Sequence, residues 1–371
     1  MKFIIDQSAL TRAMKHVLGV VPRRNTIPVI NNVLLTADGT ELKICATDCD
    51  MEMSERIDAQ IDDFGAITVP AQTLYDIVRE LPSGSEIGFE DANNGNRIKL
   101  HCGSARFELA TLPAADFPKL GGDAFTAKFN ISSEDLLRMI AKTRFAISSE
   151  TTRYYLCGLY LHKHYSGTLR AAACDSYRAA IYSSPLPAGA ENLPGIIVPE
   201  KMVTEMYRIT DDLKAAVEIS ACTNRISASV GRTILTSKLI DGDFPEYECI
   251  IPDVAKYTHT ATVMTEAALK AINLVSVVLS GKTTVVRIDC TKSSIMLSAV
   301  TDTGEVATKD VNAEIDGREI TFGADANYLR DTLSAIGSRS VKILTMDPQS
   351  PIRVIDTEDN NAIHVIMPMK V

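Results

Sequence analysis

Residues 110–120 read Ala-Thr-Leu-Pro-Ala-Ala-Asp-Phe-Pro-Lys-Leu, and residues 237–247 read Ser-Lys-Leu-Ile-Asp-Gly-Asp-Phe-Pro-Glu-Tyr. In both stretches an apolar segment runs into Asp-Phe-Pro, where proline fixes its own φ and holds the preceding residue extended. Two copies of one rigid corner predict two copies of one domain.

The segments upstream of the corners repeat as well. Residues 96–109 and 224–236 both read as a strand, a glycine turn and a second strand. Three opening strands lead into helices that Asp, Ser or Thr is expected to cap. These strands are 2–6, 128–132 and 260–264, and later β runs lead into helices at 67–81, 196–209 and 319–336.

Length and repeat together predict three α+β domains, at 1–121, 128–248 and 256–371. Domains of this size bury a stable core without disulfides or metals. The eight cysteines have no CxxC spacing, and five lie in apolar strand patterns, which predicts reduced core thiols: Cys45, Cys102, Cys157, Cys174 and Cys290. Asp6 interrupts the first apolar run, so we expect no signal peptide and a cytoplasmic protein.

The net charge of −9 opposes binding to a polyanion on average. Two predicted helices nevertheless concentrate cations on one face. Arg12 and Lys15 are spaced i,i+3, and Arg138 and Lys142 are spaced i,i+4. An acidic chain with basic helix faces predicts a segregated surface potential.

Signatures of catalysis are weak in this sequence, which has no HExxH, GxSxG or GxGxxG. Residues 280–284 resemble the end of a phosphate-binding loop, but Ser276 stands where its first glycine belongs. His162 and His164 would supply only two metal ligands. Asp48, Asp50 and Glu52 alternate, so they form either a metal-binding carboxylate row or the solvent face of a strand.

The carboxyl terminus, residues 363–371, reads Ile-His-Val-Ile-Met-Pro-Met-Lys-Val and carries no polar tail. A terminal strand explains residues 363–366 but not the methionines and proline beyond them. Flexible thioethers at a surface are typical of grooves that bind apolar peptides.

These residues resemble the bacterial sliding clamp family, the β subunits of DNA polymerase III. The motifs that carry the resemblance run in order along the chain: residues 1–3, 26–28, 46–48, 51–53, 111–118, 153–156, 236–239 and 365–369. The resemblance implies a non-enzymatic processivity factor without cofactors. Two chains would join head to tail as a closed ring around double-stranded DNA, with helices lining the hole and antiparallel sheets outside.

The resemblance also implies site residues and partners. It predicts DNA contacts at Arg24, which matches a DNA-contacting position of the family, with Tyr154 and Lys201. The helix cations Arg12, Lys15, Arg138 and Lys142 are added on their charge and spacing, and a solvated helix face is the alternative for any one of them. The resemblance predicts a peptide groove for the polymerase alpha subunit, the clamp loader, other polymerases and repair proteins. The groove residues would be Leu156, Cys174, Tyr177, Arg178, Ala179, Pro245, Ile250, Tyr328, Val365, Ile366, Met367, Pro368 and Met369, with departures from the family pattern at Ser176, Cys249 and Asp325.

The homodimer contact implied by the resemblance joins the first domain of one chain to the third domain of its partner. Its apolar patch would pack Phe107 and Leu109 against Val278 and Leu279, with Arg106 facing acids such as Glu305. Two hypotheses compete with the ring: a scaffold of the same fold that never encircles DNA, and a metal-dependent hydrolase built on the carboxylate row.

Overall fold

A computed structural model describes residues 1–22, 25–92, 95–121, 124–279, 284–301 and 303–371. The described residues form six α-helices, two in each predicted repeat. The helices are α1 Gln7–Val17, α2 Ala71–Glu80, α3 Ser133–Thr143, α4 Glu200–Leu213, α5 Thr265–Val275 and α6 Ala326–Ile336.

Twenty-six strands accompany the helices in the described chain. The first thirteen are β1 Lys2–Asp6, β2 Asn32–Asp38, β3 Glu41–Thr47, β4 Met51–Asp58, β5 Gln60–Asp63, β6 Gly65–Pro70, β7 Glu86–Ala92, β8 Arg97–Cys102, β9 Ala105–Ala110, β10 Leu112–Pro113, β11 Ala127–Ile131, β12 Gly158–Lys163 and β13 Thr168–Cys174. The others are β14 Arg178–Pro185, β15 Ile196–Pro199, β16 Val217–Ala221, β17 Arg225–Val230, β18 Thr233–Lys238, β19 His259–Met264, β20 Val285–Cys290, β21 Ser294–Val300, β22 Val306–Asp316, β23 Ile320–Asp325, β24 Ser340–Thr345, β25 Ile352–Asp356 and β26 Ala362–Ile366.

The described strands form three antiparallel sheets in two compact units. The first unit, residues 1–134, 187–194 and 201–239, holds a sheet of order β5-β1-β7-β8-β9 and one of order β10-β6-β2-β3-β4-β18-β17-β16-β11. The second unit, residues 135–186, 195–200 and 240–371, holds the order β15-β12-β13-β14-β26-β25-β24-β19-β22-β21-β20-β23. The α+β class predicted from the sequence is therefore confirmed.

Strand pairing explains why the three predicted repeats give two compact units. In the first unit β18 continues the sheet of the first repeat, with Leu235 opposite Met53. In the second unit β14 pairs with the last strand of the third repeat, with Ala179 opposite Val365. The middle repeat thus gives strands to both units, and the three domain boundaries stay a prediction.

The two Asp-Phe-Pro corners close the ends of small apolar clusters. Phe117 is buried against Val29, Ile30 and Leu34 in the first unit. Phe244 is partly buried in the second unit, and its ring stacks on Tyr160 with centroids 4.8 Å apart. Proline disfavours a helical conformation for the residue before it, and Phe117 is extended accordingly.

Helix capping follows the prediction at α1 and departs from it at α5. The Asp6 carboxylate accepts the Ala9 N–H at 2.9 Å, as expected of an N-cap. At α5 the N-cap is Met264, which has no side-chain cap, so the expectation of a capping side chain there is wrong. The Arg339 carbonyl instead accepts the Thr265 N–H at 3.0 Å, which satisfies that donor without a polar cap.

The eight cysteines are all reduced. Cys45, Cys102, Cys174 and Cys290 are buried on strands as predicted. Cys157 differs from the prediction, since it lies before β12 and is only partly buried. In the described chain, no helix has the length and hydrophobicity needed to cross a membrane.

Candidate peptide groove and basic surface

The second unit carries a groove of about 310 Å³ beside the carboxyl end of β26. Alternation along the strands places Val365 and Ala179 on the groove side, since directly paired residues share a face. Eight predicted residues line the groove: Leu156, Cys174, Arg178, Ala179, Pro245, Ile250, Val365 and Met367. Burial raises the pKa of the Cys174 thiol, so this floor residue stays neutral.

Arg178 is the best anchored charge of the groove. Its Nε lies 2.9 Å from Asp175, and a terminal nitrogen lies 2.8 Å from Asp331. The guanidinium also sits over the rings of Tyr328 and Phe145, 4.6 and 5.3 Å from their centroids. Because two carboxylates neutralise this cation, Arg178 contributes a fixed part of the groove wall and not a charge that is free to bind a ligand.

The chain beyond β26 is held by backbone hydrogen bonds on both sides. The Met367 N–H donates to the Tyr177 carbonyl at 2.8 Å, and the Met369 N–H donates to the Gly323 carbonyl at 2.9 Å. A Cβ at position 323 would lie 2.5 Å from the Met369 oxygen, so the tail requires a glycine beneath it. These two hydrogen bonds hold Met367 at the rim of the groove, where its side chain is 37% exposed.

Five predicted groove residues do not line the described cavity. Ile366 is fully buried in the core of the second unit, because it faces away from its neighbour Val365. Pro368 and Met369 line a separate cavity of about 510 Å³ with Arg287 and Gln349. Tyr177 and Tyr328 stack on each other, with centroids 6.1 Å apart, outside the lining.

The sequence prediction missed five residues that do line the groove. They are Arg153, Tyr155, Ser176, Glu246 and Tyr247. Glu246 and Tyr247 directly follow the second Asp-Phe-Pro corner, so this motif is the sequence signal that could have identified them. Tyr247 is buried, and its side chain therefore belongs to the wall.

Four predicted DNA contacts other than Lys201 are exposed in the described structure. Arg12 and Lys15 are exposed on α1, and no carboxylate of the described chain lies within ion-pair distance of them. Arg138 is also exposed, on α3, and Tyr154 is 55% exposed. Arg24 lies outside the described residues.

Two predicted DNA contacts are ion-paired within the described chain. Lys142 differs most from the prediction, because its side chain is 11% exposed and its Nζ lies 2.9 Å from Asp356. It also donates to the Ile336 carbonyl, so we leave Lys142 out of the basic surface. Lys201 is 44% exposed, pairs with Asp48 and donates to the Val20 carbonyl at 2.9 Å.

A buried histidine joins α1 to its neighbours in the first unit. The His16 nitrogens lie 2.6 Å from Glu55 and 3.0 Å from Asp212. Burial alone would lower the pKa of His16, but hydrogen bonds and charge from both carboxylates outweigh it and raise the pKa. His16 thus turns inward, while Arg12 and Lys15 of the same helix face solvent.

His364, on β26 itself, predicts how stability depends on pH. Burial is the main cause that lowers its pKa to about 4, and its Nε2–H donates to the Lys142 carbonyl at 3.0 Å. A lowered histidine pKa stabilises the fold above pH 6.5 and loses that stabilisation as the pH falls toward 4. We expect the loss to reach about 3 kcal/mol.

Urea unfolding between pH 7.5 and 4.5 checks this expectation. His364→Gln should flatten the pH dependence, since glutamine keeps a donor but does not titrate. His101→Gln, at an exposed position on β8, is the matched control and should leave it unchanged. Equal slopes for wild type and His364→Gln would contradict the assignment.

The metal-binding interpretation of Asp48, Asp50 and Glu52 is not supported by their geometry. They span a turn between β3 and β4, and not one strand face, with Cys49 at φ 77°. Asp48 accepts the Met51 N–H at 2.7 Å, Asp50 pairs with Lys238 at 2.9 Å, and Glu52 accepts the Leu120 N–H at 3.2 Å. Three different partners hold the acids apart.

The two histidines of β12 and its end also have separate partners. His162 bonds to Tyr247, and His164 bonds to Ser166 and Glu248. Within the described ranges, no set of three His, Cys, Asp or Glu side chains could hold a metal ion. The loop at 280–283 lies outside the described residues.

The predicted interface residues occupy two surfaces, one on each unit. Phe107 and Leu109 are half-buried on β9, which ends the five-stranded sheet, and the Arg106 guanidinium bonds to the carbonyls of Gly103 and Ala105. On the second unit, Val278 and Leu279 are partly buried beside the exposed Leu274 and Val277. Hydroxyls of Thr301 and Thr303 bond to Glu305 and lower its pKa.

Three family models match consecutive parts of the chain. The N-terminal, central and C-terminal domains of the DNA polymerase III beta subunit match residues 1–121, 130–246 and 249–370. Repeated α+β units that match these models define the class of three-domain DNA clamps.

Relatives and solved structures agree over the full length. Beta sliding clamps of Caulobacter vibrioides and Escherichia coli K12 are 38% and 33% identical, covering 100% of this chain and of each relative. The Caulobacter crescentus clamp structure has a TM-score of 0.94 at 37% identity, again with 100% coverage of both chains. The Bartonella birtlesii clamp, solved with griselimycin bound, has a TM-score of 0.96 at 32% identity and the same coverage. The chain belongs to the DNA polymerase III beta subunit family, the beta sliding clamps.

Proposed function

We propose that this protein is a non-enzymatic sliding clamp that encircles duplex DNA and tethers DNA polymerase III. Two chains would close the ring head to tail, with the β9 surface of one against the Val278 surface of the other. A heterologous contact that repeats around a twofold axis closes a ring. The full-length match to beta sliding clamps carries the proposal.

The exposed cations of the chain support DNA binding that is independent of base sequence and lets the protein slide along the duplex. Phosphate contacts position a protein without sequence information, and their strength falls steeply with salt. On a chain of net charge −9, Arg12 and Lys15 offer exposed cations without ion pairs in the described structure. Arg138, Tyr154, Lys201 and Arg24 complete the proposed DNA surface.

Charge reversal on α1 tests the DNA surface. We expect Arg12→Glu with Lys15→Glu to weaken binding to duplex DNA at low salt and to reduce the salt slope by about 0.9 for each phosphate that is no longer neutralised. Filter binding of the free protein to short linear duplex DNA over a salt series would measure both. Lys256→Glu with Lys292→Glu, exposed cations in other segments, is the matched control. A scaffold that never encircles DNA would respond equally to both pairs.

The groove supports the partner side of the proposal. An apolar floor with Met367 at its rim suits short peptide motifs of the polymerase alpha subunit, the clamp loader, other polymerases and repair proteins. Affinity near micromolar, about −8 kcal/mol, would let such partners exchange. We propose a cytoplasmic site of action, where a replicative polymerase meets DNA.

A further inference from the structure

The groove adjoins a second cavity of about 360 Å³ that its function does not use. Pro245, Glu246 and Tyr247 line both. The rest of the lining comprises Tyr160, His162, Lys163, His164, Tyr165, Phe244, Glu248 and Cys249. We propose that this cavity receives a lysine or arginine side chain flanking the apolar motif of a peptide in the groove. The inference rests on the proposed peptide-binding function.

Aromatic rings form most of the second cavity. Tyr160 is stacked between Phe244 and His162, with centroids at 4.8 and 4.5 Å. Tyr165, 87% exposed, lies with its ring centroid 3.8 Å from that of His164. Such walls accept the methylene stem of a long basic side chain, and an open ring face attracts its cation.

Residues 245–247 form the wall that the two cavities share. His162, which lines the second cavity, holds this shared wall in place through Tyr247. Its Nδ1 lies 3.1 Å from the Lys163 carbonyl, which can only accept, so Nδ1 carries the proton. Nε2 therefore accepts the Tyr247 hydroxyl at 2.9 Å. Burial is the main cause that lowers the pKa of His162, so the ring adds no positive charge to the cavity at neutral pH.

Negative charge dominates the segment that separates the two cavities. Residues 239–255 contain five acidic residues and no lysine or arginine. Glu248 is neutralised by Arg170 and approached by His164, both at 2.7 Å. Glu246, on the shared wall, has no ion-pair partner among the described residues, and its carboxylate lies 3.8 Å from the Cys249 thiol. An unpaired carboxylate at the junction favours a cation on the bound peptide.

Continuity of the lining favours one peptide over two separate ligands. A residue leaving the groove past Pro245 meets Glu246 next, so a flanking side chain reaches the second cavity without a break in the surface. Within the groove Arg178 is already paired with Asp175 and Asp331, and Arg153 lies 3.7 Å from Glu150. Among the charged side chains that line the groove, Glu246 is thus the one without an ion-pair partner in the described residues.

Fluorescence anisotropy with the full-length protein tests this inference. The probes are synthetic peptides that copy the clamp-binding segment of a polymerase alpha subunit, with Lys-Lys, Ala-Ala or Glu-Glu added at either end. At one of the two peptide ends, we expect the peptide that carries Lys-Lys to bind about two- to fivefold more tightly at low salt than the peptide that carries Glu-Glu there. The reason is that exposed charge pairs are worth up to about 1 kcal/mol. The gap should close at high salt.

Substitutions at the shared wall make the test specific. Glu246→Gln should remove the preference and Glu246→Lys should reverse it, each measured as the ratio of the Lys-Lys and Glu-Glu affinities within one variant. Glu319→Gln, at an exposed position away from both cavities, is the matched control and should keep the preference. Equal binding of all three charge forms to wild type overturns this inference alone. Failure of every peptide to bind overturns the groove and the inference together.

Discussion

Once loaded onto a nicked circular plasmid, this clamp is expected to stay bound on the order of a hundredfold longer than on the same plasmid made linear. Individual phosphate contacts are weak and screened by salt, so contacts alone would give similar lifetimes on both forms. A closed ring leaves circular DNA only by opening, whereas it slides off a free end. Gel filtration of radiolabelled clamp with each DNA form measures the retention.

Two controls make the retention experiment decisive. Omitting the clamp loader should abolish retention on the circle, since a closed ring cannot thread it. The free protein should have a solution mass near twice the 40.3 kDa chain. Equal loss from circular and linear DNA, or a stable monomer at micromolar concentration, would contradict the ring.

Deletion of residues 367–371 is expected to weaken binding of a clamp-binding peptide by about tenfold or more. The deletion removes the Met367 side chain from the groove lining, and we expect Met367 to be one of the few hot-spot side chains, which cost about 2 kcal/mol or more when truncated. It also removes the hydrogen bonds from Met367 to Tyr177 and from Met369 to Gly323. Anisotropy titration with the alpha-subunit peptide measures the change.

The dimer should survive this deletion, because none of the proposed interface residues lines either cavity that the tail borders. Removing Val371 alone keeps Met367 and both hydrogen bonds, so it serves as the matched control and should bind normally. An unchanged affinity after the longer deletion would refute the groove assignment. Loss of the dimer would show instead that the tail acts on assembly.

Local signals in the sequence were enough for the repeats. Alternation and helix periodicity depend on neighbouring residues, so the opening strands and their helices appear close to the predicted ranges. The first Asp-Phe-Pro corner also kept its predicted conformation, with Phe117 extended at φ −75° and ψ 119°. Proline imposes that conformation without help from the rest of the fold.

Groove residues were predicted in part, and strand alternation explains the division. Val365 on β26 and Ala179 on β14 lie opposite each other, so both residues face the groove. Predicting these two strands was therefore enough to predict both groove residues. Ile366 was wrong because adjacent strand residues face opposite sides. Tyr247 was missed because its place in the wall depends on contacts with β12, far away in the sequence.

The sequence by itself determined the repeated α+β units, the cationic α1 face and the apolar end of the chain, because each depends on short-range spacing. Only the tertiary structure decided which charged side chains are neutralised within the fold and which remain available to bind a ligand. Lys142 has helical spacing suited to a basic face, yet Asp356 arrives from 214 residues away and pairs with it. Glu246 has no such partner among the described residues and stays an open charge beside the groove. Spacing sets the direction of a side chain, and the partner brought by the fold sets whether its charge is neutralised.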